Sequence, residues 1–342
     1  MKTKILIIED NQLIQAAYKR AFGLLSDMEV VGSALNGEEG FALLQKLDPD
    51  IIICDLNMPV MDGFEFTKKA MAEKPKPILI ISDLVQKEDE GNIFKVLNLG
   101  ALDVLPKPRL GGDIQLIAEE LARKIRVLKN VIVFRKVQDR PVVKISEPVV
   151  SKSHHTKFEI LVIGASTGGP QAFQTVLSGI PKNFPLPILC VQHISPGFSE
   201  SLLQWLRHSC PCPVQFGVSG KKPEAGVIYF PPDDSHLTIK GGFISINQNE
   251  PERGHRPSVD TLFHSVVTEF GDKALAILLT GMGDDGARGL KALRDSGSFT
   301  VAQDELSSIV YGMPRVAKEM DAPLEVLSLD QISSRILNLV GV

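Results

Sequence analysis

Short apolar runs recur along this chain, and each stops at a polar side chain or a glycine. Residues 4–8 stop at Glu9 and Asp10, 51–54 at Asp55, 78–81 at Ser82, 160–163 at Gly164, 187–192 at His193 and 274–279 at Thr280. Runs this short match a strand covered on both faces better than a buried helix. Helical patterns fill the intervals, through Leu25 and then over 38–47, 64–72 and 88–99, with another starting near Asp113. Further strand-like stretches cover 30–35 and 101–105. Strands alternating with helices predict an α/β class, a parallel sheet with helices on both faces. In that class ligands bind beyond the carboxyl ends of the strands. The polar residues that end the runs are therefore the first candidates for a site.

The first half brings Glu9, Asp10, Asp55, Ser82 and Lys107 to strand ends. Three converging carboxylates repel one another unless a cation joins them, and a hard divalent ion such as Mg²⁺ prefers oxygen ligands. Lys107 would neutralise one oxygen of an incoming phosphoryl group and Ser82 would donate a hydrogen bond to another. Asp55, between them, is then a phosphoryl acceptor.

This half resembles the receiver domain of two-component response regulators, over about residues 2–130. The resemblance rests on Glu9-Asp10, on Asp55-Leu-Asn-Met-Pro-Val-Met-Asp-Gly63, on Ser82 and on Lys107-Pro108. It implies a flavodoxin-like, five-stranded parallel sheet and phosphorylation of Asp55 by a sensor histidine kinase. It implies Mg²⁺ held by Glu9, Asp10, Asp55 and the backbone carbonyl of Asn57. It also implies a cis bond between Lys107 and Pro108, as proline permits. Val104 stands where many receivers carry an aromatic switch residue, so the signal is expected to travel by backbone and helix shifts.

Between 130 and 157 the pattern fails. Pro141, Pro148, a basic excess and Ser151-Lys-Ser-His-His155 read as an extended linker. The chain thus divides into a receiver domain over 1–129, a linker over 130–157 and a second domain over 158–342.

The second domain opens with FEILVIGASTGGP, residues 158–170. The spacing Gly164-x-Ser166-x-Gly168 fits a nucleophile elbow. A plain strand-to-helix turn, or one that cradles a phosphate at the helix start, fits it too. The next run ends at His193, where a dinucleotide-binding reading would want an acid. A histidine there is better placed as a base, because neighbouring parallel strands bring their ends together. The third run leads into Thr280-Gly-Met-Gly-Asp-Asp-Gly286. A serine hydroxyl needs a base to take its proton, and the base needs a carboxylate to orient it. Ser166, His193 and Asp285 supply the three parts in a chain order unlike that of α/β-hydrolases. Short alternating stretches at 229–230, 237–239 and 243–246 predict an antiparallel hairpin extending a doubly wound, mostly parallel sheet. Ser258 is a candidate N-cap for a helix reaching Phe270.

Residues 158–342 resemble the catalytic domain of the chemotaxis receptor protein-glutamate methylesterases, the CheB family. The resemblance is carried by Ile163-Gly-Ala-Ser-Thr-Gly-Gly-Pro170, by Val191-Gln-His-Ile194 with Pro196-Gly-Phe198, and by His255-Arg-Pro-Ser-Val-Asp260. Leu279-Thr-Gly-Met-Gly-Asp-Asp-Gly286, Ala302-Gln-Asp304 and Tyr311-Gly-Met-Pro314 complete it. It implies Ser166 as nucleophile, His193 as base and Asp285 as orienting acid, with Asp284 the competing carboxylate. It extends a pocket or oxyanion role to Thr167, His255, Arg256 and the N–H of Met282. The implied reaction is demethylation of glutamate γ-methyl esters on methyl-accepting chemotaxis receptors, releasing methanol, with deamidation of receptor glutamines beside it. No cofactor is expected for that reaction.

Composition narrows the rest. A net charge of −4 over 342 residues gives no global field for nucleic acid or an anionic membrane. No apolar run reaches the roughly 18–20 residues that span a bilayer. The four cysteines show no disulfide framework, which suits a reduced cytoplasm. The expectation is a cytoplasmic monomer. The rival reading is a receiver-controlled binding module that holds a ligand or partner at the glycine turn and catalyses nothing.

Overall fold

The computed structural model describes residues 2–83, 93–108, 114–133 and 157–342. The chain divides into two compact units, Met1–Val143 and Lys144–Val342. Most of the expected linker, including Pro141, Pro148 and His154-His155, lies outside the described residues, as do Asp113 and the start of the helix expected over 88–99.

In the first unit five strands form one parallel sheet: β1 (Thr3–Ile8), β2 (Met28–Ala34), β3 (Ile51–Cys54), β4 (Ile78–Ser82) and β5 (Asp103–Pro106), in the order β2-β1-β3-β4-β5. Helices α1 (Gln12–Gly23), α2 (Gly37–Lys46), α3 (Gly63–Glu73), α4 (Lys95–Leu99) and α5 (Ile114–Leu128) alternate with them. β1, β3 and β4 occupy the centre and are apolar on both faces, so Ile5–Ile8, Ile51–Ile53 and Ile78–Ile81 are fully buried. Short polar caps start α1, α2 and α3. Asn11, Asn36 and Asp62 each accept a hydrogen bond from a backbone N–H of the first turn. The cis peptide bond among the described residues is Arg256–Pro257, so the Lys107–Pro108 bond, expected to be cis, is trans.

The second unit is built on a seven-stranded parallel sheet. Its strands are β6 (Ile160–Ala165), β7 (Ile188–Gln192), β8 (Val214–Phe216), β9 (Ile228–Phe230), β12 (Ala274–Leu278), β13 (Phe299–Gln303) and β14 (Glu325–Leu327). The order is β14-β13-β12-β6-β7-β9-β8. β10 (His236–Lys240) and β11 (Phe243–Asn247) pair antiparallel as a separate two-stranded sheet. The stretch 229–230, grouped with the hairpin on its alternation, belongs instead to β9 in the parallel sheet. All three β9 residues are buried, which two-residue alternation could not reveal.

The helices are α6 (Gly169–Ser178), α7 (Ser199–Arg207), α8 (Val259–Phe270), α9 (Ala287–Asp295), α10 (Met313–Glu319) and α11 (Leu329–Val340). Alternate residues of β6 serve the two faces. Ile160 and Val162 join a core with Val259, Leu262 and Phe263 of α8 and Leu290 and Leu293 of α9. Leu161 and Ile163 point the other way and are equally buried, so both faces are covered. The chain runs outward from β6 through β7, then returns to β12 on the other side. β6 therefore stands at the switch point, where a crevice opens beyond the strand ends.

Candidate active site and phosphoacceptor site

Three loops meet at that crevice. Ser166 follows β6, His193 follows β7, and Asp285 lies at the end of the loop after β12, just before α9. Hydrogen bonds between backbones join the loops: Ser166 N donates to Thr280 O at 3.0 Å and His193 N to Ala165 O at 3.0 Å. The expected elbow is present without strain at the serine. The positive φ, 78°, falls on Gly168, the residue before α6. Gly164 answers a different need, because an added Cβ there would come 2.2 Å from Val259 Cγ1. Its missing side chain lets the start of α8 close on the end of β6.

That approach matters for Asp285. Its carboxylate lies against the first turn of α8 and accepts four hydrogen bonds. Oδ1 receives Ser258 Oγ at 2.9 Å and Asp260 N at 3.0 Å; Oδ2 receives Val259 N at 2.7 Å and meets His193 Nε2 at 2.7 Å. Burial alone would raise the acid's pKa. The His193 contact and the N–H groups of Asp260 and Val259 outweigh it and hold Asp285 well below the usual carboxylate range. Asp285 is thus an ionised acceptor, so His193 Nε2 carries the proton and Nδ1 is the basic nitrogen. Nδ1 is buried and has no hydrogen-bond partner among the described residues, so the bond to Ser166 is not made in this resting geometry. Such contacts commonly tighten only when substrate arrives. Asp284 is directed elsewhere: its carboxylate pairs with Arg253 at 2.6 Å, half-exposed.

The pocket candidates separate. His255 lies parallel to His193, ring centroids 4.2 Å apart and planes 6° apart. Arg256 is committed to Asp234 through Nε and Nη2, each at 2.8 Å, and to the carbonyls of Gln248 and Asn249 through Nη1; it braces the loop that carries His255. Thr167 is buried and its carbonyl accepts Thr280 Oγ1 at 3.0 Å. The peptide that ends in Met282 N–H is fixed through its carbonyl, Gly281 O, which accepts from Gly312 and Met313. It sits beside the nucleophile, since an added Cβ on Gly281 would lie 2.7 Å from Ser166 Cβ.

Ser258 does more than cap its helix: its hydroxyl and the two following N–H groups receive Asp285, which a cap motif alone does not reveal. Gln192 and Thr280 stand at the ends of apolar runs in the sequence, but their part as buried polar residues that tie the catalytic loops together emerges only in the fold. The available signal was a polar side chain at the inner end of an apolar run.

In the first unit Glu9, Asp10 and Asp55 converge, with ligand oxygens all within 4.8 Å of one another. Lys107 Nζ bridges Asp55 Oδ2 at 2.8 Å and Glu9 Oε1 at 3.0 Å. Burial pushes the Glu9 carboxyl up to about 7 despite its bond to Lys107, and burial likewise raises Asp55. Ser82 is buried and its carbonyl accepts the Lys107 N–H at 2.9 Å. Asn57 follows in the exposed part of the loop. Carboxylate oxygens this close form the donor set that a hard divalent cation takes.

Two family models match the chain: response regulator receiver domain over residues 5–119 and CheB methylesterase over 161–336. The chain is 38% identical over 344 residues to protein-glutamate methylesterase/protein-glutamine glutaminase 1 of Syntrophus aciditrophicus, covering 99% of this chain and 98% of the relative. It is 38% identical over 339 residues to protein-glutamate methylesterase/protein-glutamine glutaminase 4 of Myxococcus xanthus, covering 97% and 96%. Among solved structures, the catalytic domain of Thermotoga maritima CheB methylesterase superposes with a TM-score of 0.50 at 32% identity. That match covers 53% of this chain and 98% of the other.

Proposed function

Because the chain belongs to the CheB methylesterase family and carries a response regulator receiver domain ahead of its catalytic domain, we propose that it is a phosphorylation-controlled serine hydrolase acting on chemoreceptors. It demethylates glutamate γ-methyl esters and deamidates glutamines, the two activities in its relatives' names. The receiver occupies 1–129 and the catalytic domain 158–342. The enzyme works in the cytoplasm, where receptor signalling helices and a sensor histidine kinase are accessible. In support, no helix among the described residues is long and apolar enough to cross a membrane, and the four cysteines are free.

The observation that carries the catalytic reading is the His193–Asp285 contact with Nδ1 left open. Nδ1 takes the Ser166 proton while Oγ attacks the γ-carbonyl carbon. The carbonyl π electrons move to oxygen, and the oxyanion is received by N–H groups at Met282 and Thr167. Collapse of this tetrahedral species breaks the bond to methoxide oxygen, which leaves with the imidazolium proton as methanol. Water then attacks the acyl-enzyme, His193 takes its proton and returns it to Ser166 Oγ, and the glutamate carboxylate is released. A glutamine amide follows the same course, with ammonia leaving. Asp285 stays ionised throughout and stabilises the imidazolium.

In the receiver, Glu9, Asp10, Asp55 and the Asn57 carbonyl would hold Mg²⁺, which shields the carboxylates and the incoming phosphoryl group. Asp55 Oδ accepts that group, and Lys107 and Ser82 hold its oxygens. The test is methanol release from methylated receptor membranes, with and without a small phosphodonor. A Ser166→Ala protein that still releases methanol, or a wild type that binds receptor and releases none, would overturn the reading.

A further inference from the structure

β6 and β7 run side by side until Ala165 faces Gln192, and then they part. Ser166 turns into α6, while His193 enters the loop before α7. The last backbone bond between them is His193 N to Ala165 O. Beyond it, nucleophile and base sit on diverging segments with no further ladder to set their separation.

One side chain spans the gap. The Gln192 amide nitrogen donates to Ser166 O at 2.8 Å and to His193 O at 2.8 Å. Both neighbours are acceptors, so only the NH₂ end of the amide fits there. Gln192 is 4% exposed, and its Oε1 has no hydrogen-bond partner among the described residues. That oxygen is pressed against the start of α6, where an added Cβ on Gly169 would lie 1.9 Å away. The amide is thus held from both ends. None of the residues lining the small cavity beside it, Ile194, Ser199, Leu202 and Phe230 among them, is titratable.

We propose that Gln192 is a positioning residue that replaces the missing rung of the ladder and sets the distance from Ser166 to His193. It touches no substrate atom; it acts on the two catalytic residues through their own carbonyls. This rests on the serine-hydrolase reading above, so the test includes a probe that needs a paired serine and histidine but no receptor. The full chain is treated with a fluorophosphonate, and the second-order rate of Ser166 labelling is measured across pH. Methanol release is measured in parallel, with thermal melts at each pH.

Gln192→Leu, which has no donor, should label about 10–100-fold more slowly at every pH, the loss expected of misplaced reacting groups. In methanol release it should lower kcat by a similar factor and leave KM within about threefold. Gln192→Glu separates positioning from bulk structure. Protonated, it keeps one O–H donor; ionised, it faces two carbonyl oxygens with none. Its rate should therefore fall as pH rises, a descending limb that the wild type lacks. Gly169→Ala, which displaces the amide without removing it, should slow labelling as Gln192→Leu does. Labelling of Gln192→Leu within threefold of wild type overturns the proposal, as does a wild-type pH profile in Gln192→Glu. Losses that only track the fraction unfolded also overturn it. A wild type that is labelled but releases no methanol removes the receptor substrate and leaves the positioning role standing. A wild type that is not labelled removes both.

Discussion

The imidazole of His193 meets the carboxylate of Asp285 through Nε2, 2.7 Å from Oδ2. The nitrogen left for the nucleophile is therefore Nδ1, on the side of the ring nearer the backbone. A base used through Nδ1 has a short reach, so its backbone must be held close to that of the serine. The β6–β7 pairing and the Gln192 amide meet that demand.

Removing members of this set should give unequal losses. Ser166→Ala and His193→Ala should each lower turnover by on the order of 10⁶-fold, because nucleophile and base act as one unit. Asp285→Asn should cost on the order of 10⁴-fold, since an amide no longer holds the Nε2 tautomer. Asp284→Asn should cost less than about threefold, because Asp284 faces Arg253 rather than the imidazole. Steady-state methanol release measures all four. A larger loss in Asp284→Asn than in Asp285→Asn would reassign the acid.

The parallel His255 ring covers one face of His193. Aromatic pairs contribute about 0.5–1.5 kcal/mol beyond the area they bury, so His255→Ala should lower kcat by about 2–10-fold. His255→Phe keeps a ring in place and should recover most of that loss. If Phe proves as poor as Ala, the His255 nitrogens rather than the stack are what matter.

A pH effect on stability should come from Asp260. It is buried beside Asp285 and accepts the Gly289 N–H at 2.7 Å. Burial first, and the charge of Asp285 after it, raise its folded value to about 6 against an ordinary 3.8. Protonation therefore favours the folded state. The stabilisation is complete below 3.8 and is lost as pH rises through about 6. Asp260→Asn cannot lose it. The difference in Tm, variant minus wild type, should accordingly become more positive between pH 4 and pH 7. Thermal melts at several pH values measure this, and a constant difference would contradict a raised Asp260.

Regulation should depend on Asp55 and on Mg²⁺. A small phosphodonor with Mg²⁺ should activate the whole protein, whereas EDTA or Asp55→Asn should abolish the activation and leave basal turnover. The fragment over residues 152–342 should exceed the unphosphorylated whole chain in turnover if the receiver restrains the catalytic domain. Reversing a 99:1 restrained population needs about 5.5 kcal/mol of difference between receiver states, so partial relief on phosphorylation is expected. A fragment slower than the unphosphorylated chain would make the receiver an activator instead.

The sequence by itself determined most of the parts. Strand and helix periods are local, so the apolar runs identified β1, β3, β4, β6, β7 and β12 close to their observed ends. The polar residues at those ends include Glu9, Asp55, Ser166 and His193, since a strand buried on both faces reaches polar chemistry where it leaves the sheet. Strands without an unbroken apolar run were harder. β8 and β14 have three residues each, one of them polar, and β13 carries Thr300 and Gln303 within its five, so none stands out, and β9 was placed with the wrong partner.

Tertiary structure decided how those parts work together. That β12 and β7 lie on opposite sides of β6 is a matter of strand order, which no local pattern encodes. The choice of Asp285 over Asp284 came from the first turn of α8, which sits 25 residues earlier in the chain at Asp260 and reaches Asp285 only because Gly164 lets that helix close in. The nitrogen His193 offers, the parallel His255 ring and the amide that bridges Ser166 to His193 depend in the same way on segments distant in sequence. A side chain's identity fixes what chemistry it can do. Its partners are fixed by packing, because hydrogen bonds and ring contacts are read out over a few ångströms of space rather than along the chain.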